Sequence, residues 1–356
     1  MSDLAFGVFD VTAIVDDENP LATAAGYEDH IRDAQLAERS GYTYFFFIEH
    51  QNAGFPCISS PTVYLAALAR STSTIRIGTM IFMLPLHHPI RLAQDAAVVD
   101  VLSRGRLEFG IGSGTRAGEF GPWHVGYQDR RPHANEVMEI VMKTWTERTF
   151  SHQGKYWTFT DVGPQPRPYQ RPHPPVWVGA HSLSSYEYAA DHAYNVSQIF
   201  EVETATAAKF AHFREYWRKS GRSGPLPHTA LVRHVHVAES DAIARAQAEP
   251  YMLRGIQGPD VVERSLKVRA NADATPDALE LARVYIETSR SMQFWFDEGL
   301  AFVGSPETVA AAIRAQRDRV GYDVLLLNHQ FVDMPRDLYV KSMQLFGERV
   351  IPAFRG

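Results

Sequence analysis

Glu49-His50-Gln51 follows directly on an aromatic and apolar run, residues 42–48, and is the first place in the chain where side chains could do chemistry. A histidine exchanges protons near neutral pH, so His50 is an acid–base candidate and Glu49 a group that could orient it. The same triplet also reads as a histidine hydrogen-bonded at a strand end, and position alone leaves both open. Ala180-His181-Ser182-Leu183-Ser184-Ser185 is the second candidate, set between a strand-like stretch and a helix-like one. Hydroxyls and unpaired helix N–H groups at such a junction form a phosphate site. Ser182 or Ser184 could equally be a plain helix cap. Gly110-Ile111-Gly112-Ser113-Gly114 is a glycine-rich turn in which a ligand could approach the backbone closely. His87, His88, His234 and His236 invite a metal, yet there is no His-Glu-x-x-His and no carboxylate pattern beside His234 and His236, so none is expected. Phe55, Phe120, Trp123 and Phe294-Trp295-Phe296 either line an apolar substrate pocket or are core.

The elements that must position these residues alternate in type. Strands are expected at 4–11, 42–48, 75–81 (running on through 84), 107–111, 176–180, 195–200, 229–238 and 324–328, the apolar ones buried on both faces. Helices are expected at 27–40, 61–70, 89–104, 135–148, 184–191, 306–320 and 338–346. Ser60-Pro61 and Pro89 mark helix starts, and Gly105 a left-handed helix end. Ile90, Ala93, Ala97, Val98, Val101 and Leu102 would form the buried stripe of the third helix. In the strand after it, Leu107, Phe109 and Ile111 alternate with Arg106, Glu108 and Gly110. Residues 163–175 are a proline-dense extended connector, and 242–299 holds helical pieces without a clear strand. Repeated strand–helix alternation predicts a (β/α)8 barrel as a single domain over 1–356, with 242–299 an insertion before the last strand that covers the mouth as a mobile lid. An open doubly wound sheet fits less well, because no Gly-x-Gly-x-x-Gly follows an early strand. In a barrel the end of 42–48 lies on the C-terminal face, where active sites are built.

Composition narrows the partners. A chain of 356 residues with 45% hydrophobic and 21% charged residues can bury a sizeable core. A net charge of −6 without a basic cluster disfavours nucleic acid and anionic membrane surfaces. No apolar run approaches the roughly 20 residues of a membrane helix, and the N-terminus does not read as a signal peptide. Cys57 is the single cysteine, so no internal disulfide and no Cys-rich metal site is possible; a reducing cytoplasm is the expected compartment.

The chain resembles the bacterial luciferase-like flavin monooxygenases. The likeness runs through Glu49-His50-Gln51, Thr79 to Pro89, Leu102-Ser103-Arg104-Gly105-Arg106-Leu107-Glu108-Phe109-Gly110-Ile111-Gly112, Val176-Trp177-Val178-Gly179-Ala180 and Gly304-Ser305-Pro306-Glu307, in order. The resemblance implies a two-component enzyme that takes reduced flavin mononucleotide (FMN) from a separate reductase and uses O2 to oxygenate a small organic substrate. It implies that His50 is the active-site histidine, that Ser182 and Ser185 hold the FMN phosphate, and that Met80 and Ile81 support the flavin ring. Ala180, His181 and Ser113 belong to the same cofactor set. Ser113 stands where luciferases carry an arginine, for which Arg116 or Arg130 could substitute, and Gln51 stands where they carry a second histidine, which argues against light production. A homodimer formed through the helix with Ala66, Ala67 and Ala69 is also implied. A deazaflavin-dependent hydride-transfer enzyme and a non-catalytic flavin-binding protein are the alternatives.

Overall fold

The computed structural model describes residues 4–11, 19–51, 58–222, 224–256, 258–271 and 276–355. Phe55 and Cys57 lie outside them. β1 (Ala5–Asp10) leads to α1 (Pro20–Arg39), β2 (Tyr44–Phe47) to α2 (Pro61–Ser71), β3 (Arg76–Met83) to α3 (Pro89–Ser103), and β4 (Leu107–Gly112) to α4 (Arg130–Thr146). An antiparallel hairpin, β5 (Phe150–Gln153) and β6 (Thr158–Val162), precedes β7 (Val176–Gly179) and α5 (Leu183–Asp191). Next come β8 (Asn195–Gln198), α6 (Glu203–Lys219) and β9 (Thr229–Val237). Four helices, α7 (Asp241–Met252), α8 (Pro259–Arg269), α9 (Pro276–Thr288) and α10 (Met292–Asp297), then lead to β10 (Ala301–Gly304), α11 (Pro306–Val320), β11 (Val324–Asn328) and α12 (Arg336–Leu345).

The main sheet runs β10-β9-β11-β1-β2-β3-β4-β7-β8, and β8 also pairs with β9. The eight strands of the closed ring are those expected from sequence, so the fold class is the (β/α)8 barrel. β10 pairs with the C-terminal half of β9. This short strand, the β5–β6 hairpin and α6 were not expected: four residues are too few to show a period, and the mean hydropathy of α6 is polar. Several helices begin earlier than their apolar pattern, as α1 and α4 do. Among the described residues no helix is long and apolar enough to cross a membrane.

The chain falls into two compact units, one of residues 10–38 and 43–180, the other of 1–9, 39–42 and 181–356. In the first, α3 buries Leu92, Ala93, Ala96, Ala97 and Val99 but leaves Val98, Val101 and Leu102 exposed, which corrects half of the expected stripe. Arg104, not Gly105, is the left-handed cap of α3, at φ 57°, with Gly105 left-handed behind it. Arg106 and Glu108 were expected on a polar strand face and are instead buried. The Arg106 guanidinium donates to the carbonyls of Ala69, Thr72, Ile75 and Ser103 and to the Thr72 hydroxyl, tying the ends of α2 and α3 to the start of β3. Glu108 pairs with Arg76 and accepts from the Trp177 indole at 2.5 Å; burial pushes its carboxyl up in pKa. Glu108 is thus both paired and hydrogen-bonded, and Arg106 is hydrogen-bonded to neutral acceptors, so neither buried charge is left without partners.

In the second unit, β1 and β11 pair in register from Ala5 with Val324 to Val8 with Leu327, and β11 pairs β9 from Val324 with Ala230 to Asn328 with His234. The 242–299 segment is held by an apolar cluster in which Ala244, Ala248, Met252, Val284 and Trp295 pack with Ala301, Val303, Phe331 and Met334.

The glycines of β4 have a steric purpose within the sheet. A Cβ on Gly110 would stand 2.1 Å from the Thr79 carbonyl oxygen, and one on Gly112 would stand 2.2 Å from Ile81 Cδ1. Both lie inside a strand, not in a turn, so the close approach is that of β3 and not of a ligand. Backbone cannot swing aside as a flexible side chain can. We expect Gly110→Ala to destabilise by about 1–3 kcal/mol in urea titration, while Gly121→Ala, with nothing within 4 Å of the added carbon, stays within about 0.5 kcal/mol of wild type. Equal midpoints for the two variants would refute the packing argument.

Candidate active site

β2 delivers the first cluster. Glu49, just past its end, forms an isolated bridge with Ile58, and the His50 amide donates to the Ile58 carbonyl at 3.4 Å. The Glu49 carboxylate is buried, which would be costly unless every oxygen were used. Oε2 accepts from the Met83 amide at 2.9 Å, Oε1 accepts from Gln51 Nε2 at 3.0 Å, and His87 Nε2 lies 2.9 and 3.0 Å from the two oxygens. Gln51 also donates to the Ser59 carbonyl. Glu49 therefore orients a strand end and His87; it is not the partner of His50. That partner is Glu119, whose Oε1 lies 2.7 Å from His50 Nδ1. Sequence reasoning missed Glu119, because a residue 69 positions away in a loop carries no local signal.

The Met80–Ile81 peptide bond, which sequence could not define, is cis, and the register of β3 on β4 shifts between Thr79 and Phe82. Ile81 fills the space left by Gly112 and lies 2.9 Å from where a Cβ on Gly179 would stand. Ser113 is half-buried beyond β4 and Ala180 is buried beyond β7. Arg130, a suggested substitute for a phosphate-binding arginine, donates to the carbonyls of Gly114 and Tyr127 and lies over the Tyr127 ring. Phe120 is core with Met83 and Leu86, whereas Trp123 is exposed.

The second unit carries the serine cluster. Ser182 is the N-cap of α5, yet its side chain makes no capping bond. Its hydroxyl instead meets those of Ser184 and Ser185 at 2.9 and 3.0 Å. Three hydroxyls gathered at a helix N-terminus form a donor set suited to an oxyanion. His181 is exposed, and its carbonyl accepts from Lys209 Nζ at 2.6 Å; Lys209 also pairs with Glu201. Lys209 was another residue missed, since it sits on the unexpected helix α6.

His234 and His236, the metal candidates of this unit, are core. His234 is buried between Trp295 and Phe331, bonded to Asn328 at 3.0 Å, and burial, helped by the neighbouring Arg233 charge, lowers its pKa to about 3. His236 meets Gln247, and burial lowers it as well. Trp295 is fully buried in the same apolar cluster. Among the described residues no group of three or more His, Cys, Asp or Glu could hold a metal.

Comparisons with known proteins agree with this architecture. The family model described as luciferase-like monooxygenase matches residues 4–323. The chain is 30% identical over 231 residues, 62% of either protein, to the oxygenase component of the flavin-dependent trigonelline monooxygenase of Acinetobacter baylyi. Its identity to limonene 1,2-monooxygenase of Rhodococcus erythropolis is 24%, covering 99% of this chain and 88% of that protein. The FMN complex of the oxygenating constituent of 3,6-diketocamphane monooxygenase from Pseudomonas putida superposes with a TM-score of 0.79 at 21% identity, covering 98% of both chains.

Proposed function

We infer that this chain, which belongs to the luciferase-like monooxygenase family, uses reduced FMN and O2 to oxygenate a small, apolar organic substrate. The observation that carries the reading is His50, set just beyond a barrel strand against a buried carboxylate. The names of the trigonelline and diketocamphane relatives, which specify a flavin and FMN, support the cofactor. The donor set at the start of α5 fits the phosphate: hydroxyls that are not spent on capping, at the positive end of a helix. In this reading Ser182 and Ser185 hold the phosphate, Ala180, His181 and Ser113 complete the cofactor set, and Met80 and Ile81 back the flavin ring. Bound reduced flavin supplies the electrons that activate O2. His50 gives or takes the proton that oxygen transfer requires.

A separate flavin reductase supplies the cofactor, and the compartment is the cytoplasm. Exposed Val63 on α2 and Val98, Val101 and Leu102 on α3 suit a homodimer interface, which sedimentation velocity reads directly. The 242–299 segment acts as a lid. Limited proteolysis should cut it more slowly with FMN bound, and equal rates with and without FMN would remove that role.

Ser182→Ala with Ser185→Ala should weaken FMN binding tenfold or more, since a hydrogen bond to a charged group contributes about 1.5–3 kcal/mol. Riboflavin, which lacks the phosphate, should bind both proteins alike. Unchanged FMN affinity would sink the phosphate assignment.

The test of the whole reading is an assay with a flavin reductase and NADH. The protein without reductase should consume NADH negligibly. His50→Ala should keep FMN affinity but lose about 10²–10⁴-fold in product formation, with consumed O2 appearing as hydrogen peroxide. Product formation above about a third of wild type, far short of that penalty, would make His50 structural.

A further inference from the structure

We propose that Glu119 is the positioning residue for His50: its buried carboxylate holds the imidazole in the tautomer protonated at Nδ1, so that Nε2 is the atom that exchanges protons. This rests on the reading of His50 as the acid–base group. A carboxylate only accepts hydrogen bonds, so at 2.7 Å from Glu119 Oε1 the Nδ1 atom must carry the hydrogen. The neutral ring then presents its lone pair at Nε2. Burial has the matching asymmetry, with the side chain of Glu119 2% exposed and that of His50 21% exposed. The carboxylate is the buried member of the pair and the imidazole the more exposed one.

The turn that carries Glu119 is held from several sides. Ala117–Glu119 is a single 3-10 turn, with the Glu119 amide donating to the Arg116 carbonyl at 3.1 Å. The next residue, Phe120, is 1% exposed and packs with Met83 and Leu86. Tyr127 meets the Phe120 ring edge-on at 5.5 Å, and its hydroxyl donates to the Thr115 carbonyl at 2.9 Å. Glu49 adjoins His50 in the chain, but its oxygens are taken by Met83, Gln51 and His87. A carboxylate–imidazole pair of this kind orients the ring and fixes its tautomer.

The ring state can be read without turnover. In full-length protein labelled with ¹⁵N-histidine, the resonances that vanish in His50→Ala belong to His50. For the neutral ring, the nitrogen shifts should show the Nδ1–H tautomer in wild type and a shift toward the Nε2–H form in Glu119→Gln. In the coupled assay Glu119→Gln should lower product formation about tenfold or more at unchanged FMN affinity, and the same change made in His50→Ala should cost nothing further. A wild-type ring in the Nε2–H form would overturn the proposal, as would additive losses in the double variant. If Glu119→Gln does not fold, the wild-type tautomer decides alone. Should no substrate be oxygenated at all, the acid–base reading falls while the ring spectrum still tests the pair.

Discussion

The buried Glu49 carboxylate is the constraint from which the first unit's candidate site follows. An ion taken out of water must have all its lone pairs used, or its desolvation outweighs what it gains. Glu49 meets that demand with a backbone amide at the end of β3, an amide side chain two residues on and an imidazole before α3. Those bonds tie the exit of β2 to the exit of β3. They also leave the adjacent residue, His50, turned toward a different carboxylate, Glu119. Two neighbouring residues thus take up two separate acid–imidazole pairs, each with its carboxylate buried and its imidazole partly exposed.

The contrast between imidazoles shows how environment assigns roles. His234 and His329 are enclosed by aromatic rings and neutral hydrogen-bond partners, and burial first of all lowers each to about pKa 3. They stay neutral across the physiological range and behave as polar core residues. His50 has a carboxylate and partial exposure instead. Only the second setting suits a group that must change protonation during a reaction.

Steric closeness acts beside the electrostatics. β4 can lie against the irregular stretch of β3 because Gly110 and Gly112 have no Cβ. The same stretch holds Ile81 against Gly112 and Gly179, so three strands share one tight contact. The hydroxyls of Ser182, Ser184 and Ser185 show a related economy: one short helix start gathers three donors through local geometry, with Lys209 holding the preceding carbonyl.

The sequence by itself determined the barrel and the position of its strands. Their apolar runs are local, and burial on both faces leaves the same mark wherever such a run occurs. It also singled out His50 and the serine junction, because each stands beside an element boundary that can be read residue by residue. Tertiary structure alone decided the partners. Whether Arg106 and Glu108 face water or buried hydrogen-bond partners, whether Val98 and Leu102 are core or surface, and which carboxylate meets His50 all depend on what lies across the fold. Alternation along a strand and a stripe along a helix report only that two faces differ. Glu119 and His50 are 69 residues apart, and that contact exists only because the strands before each of them run in parallel with β3 between them.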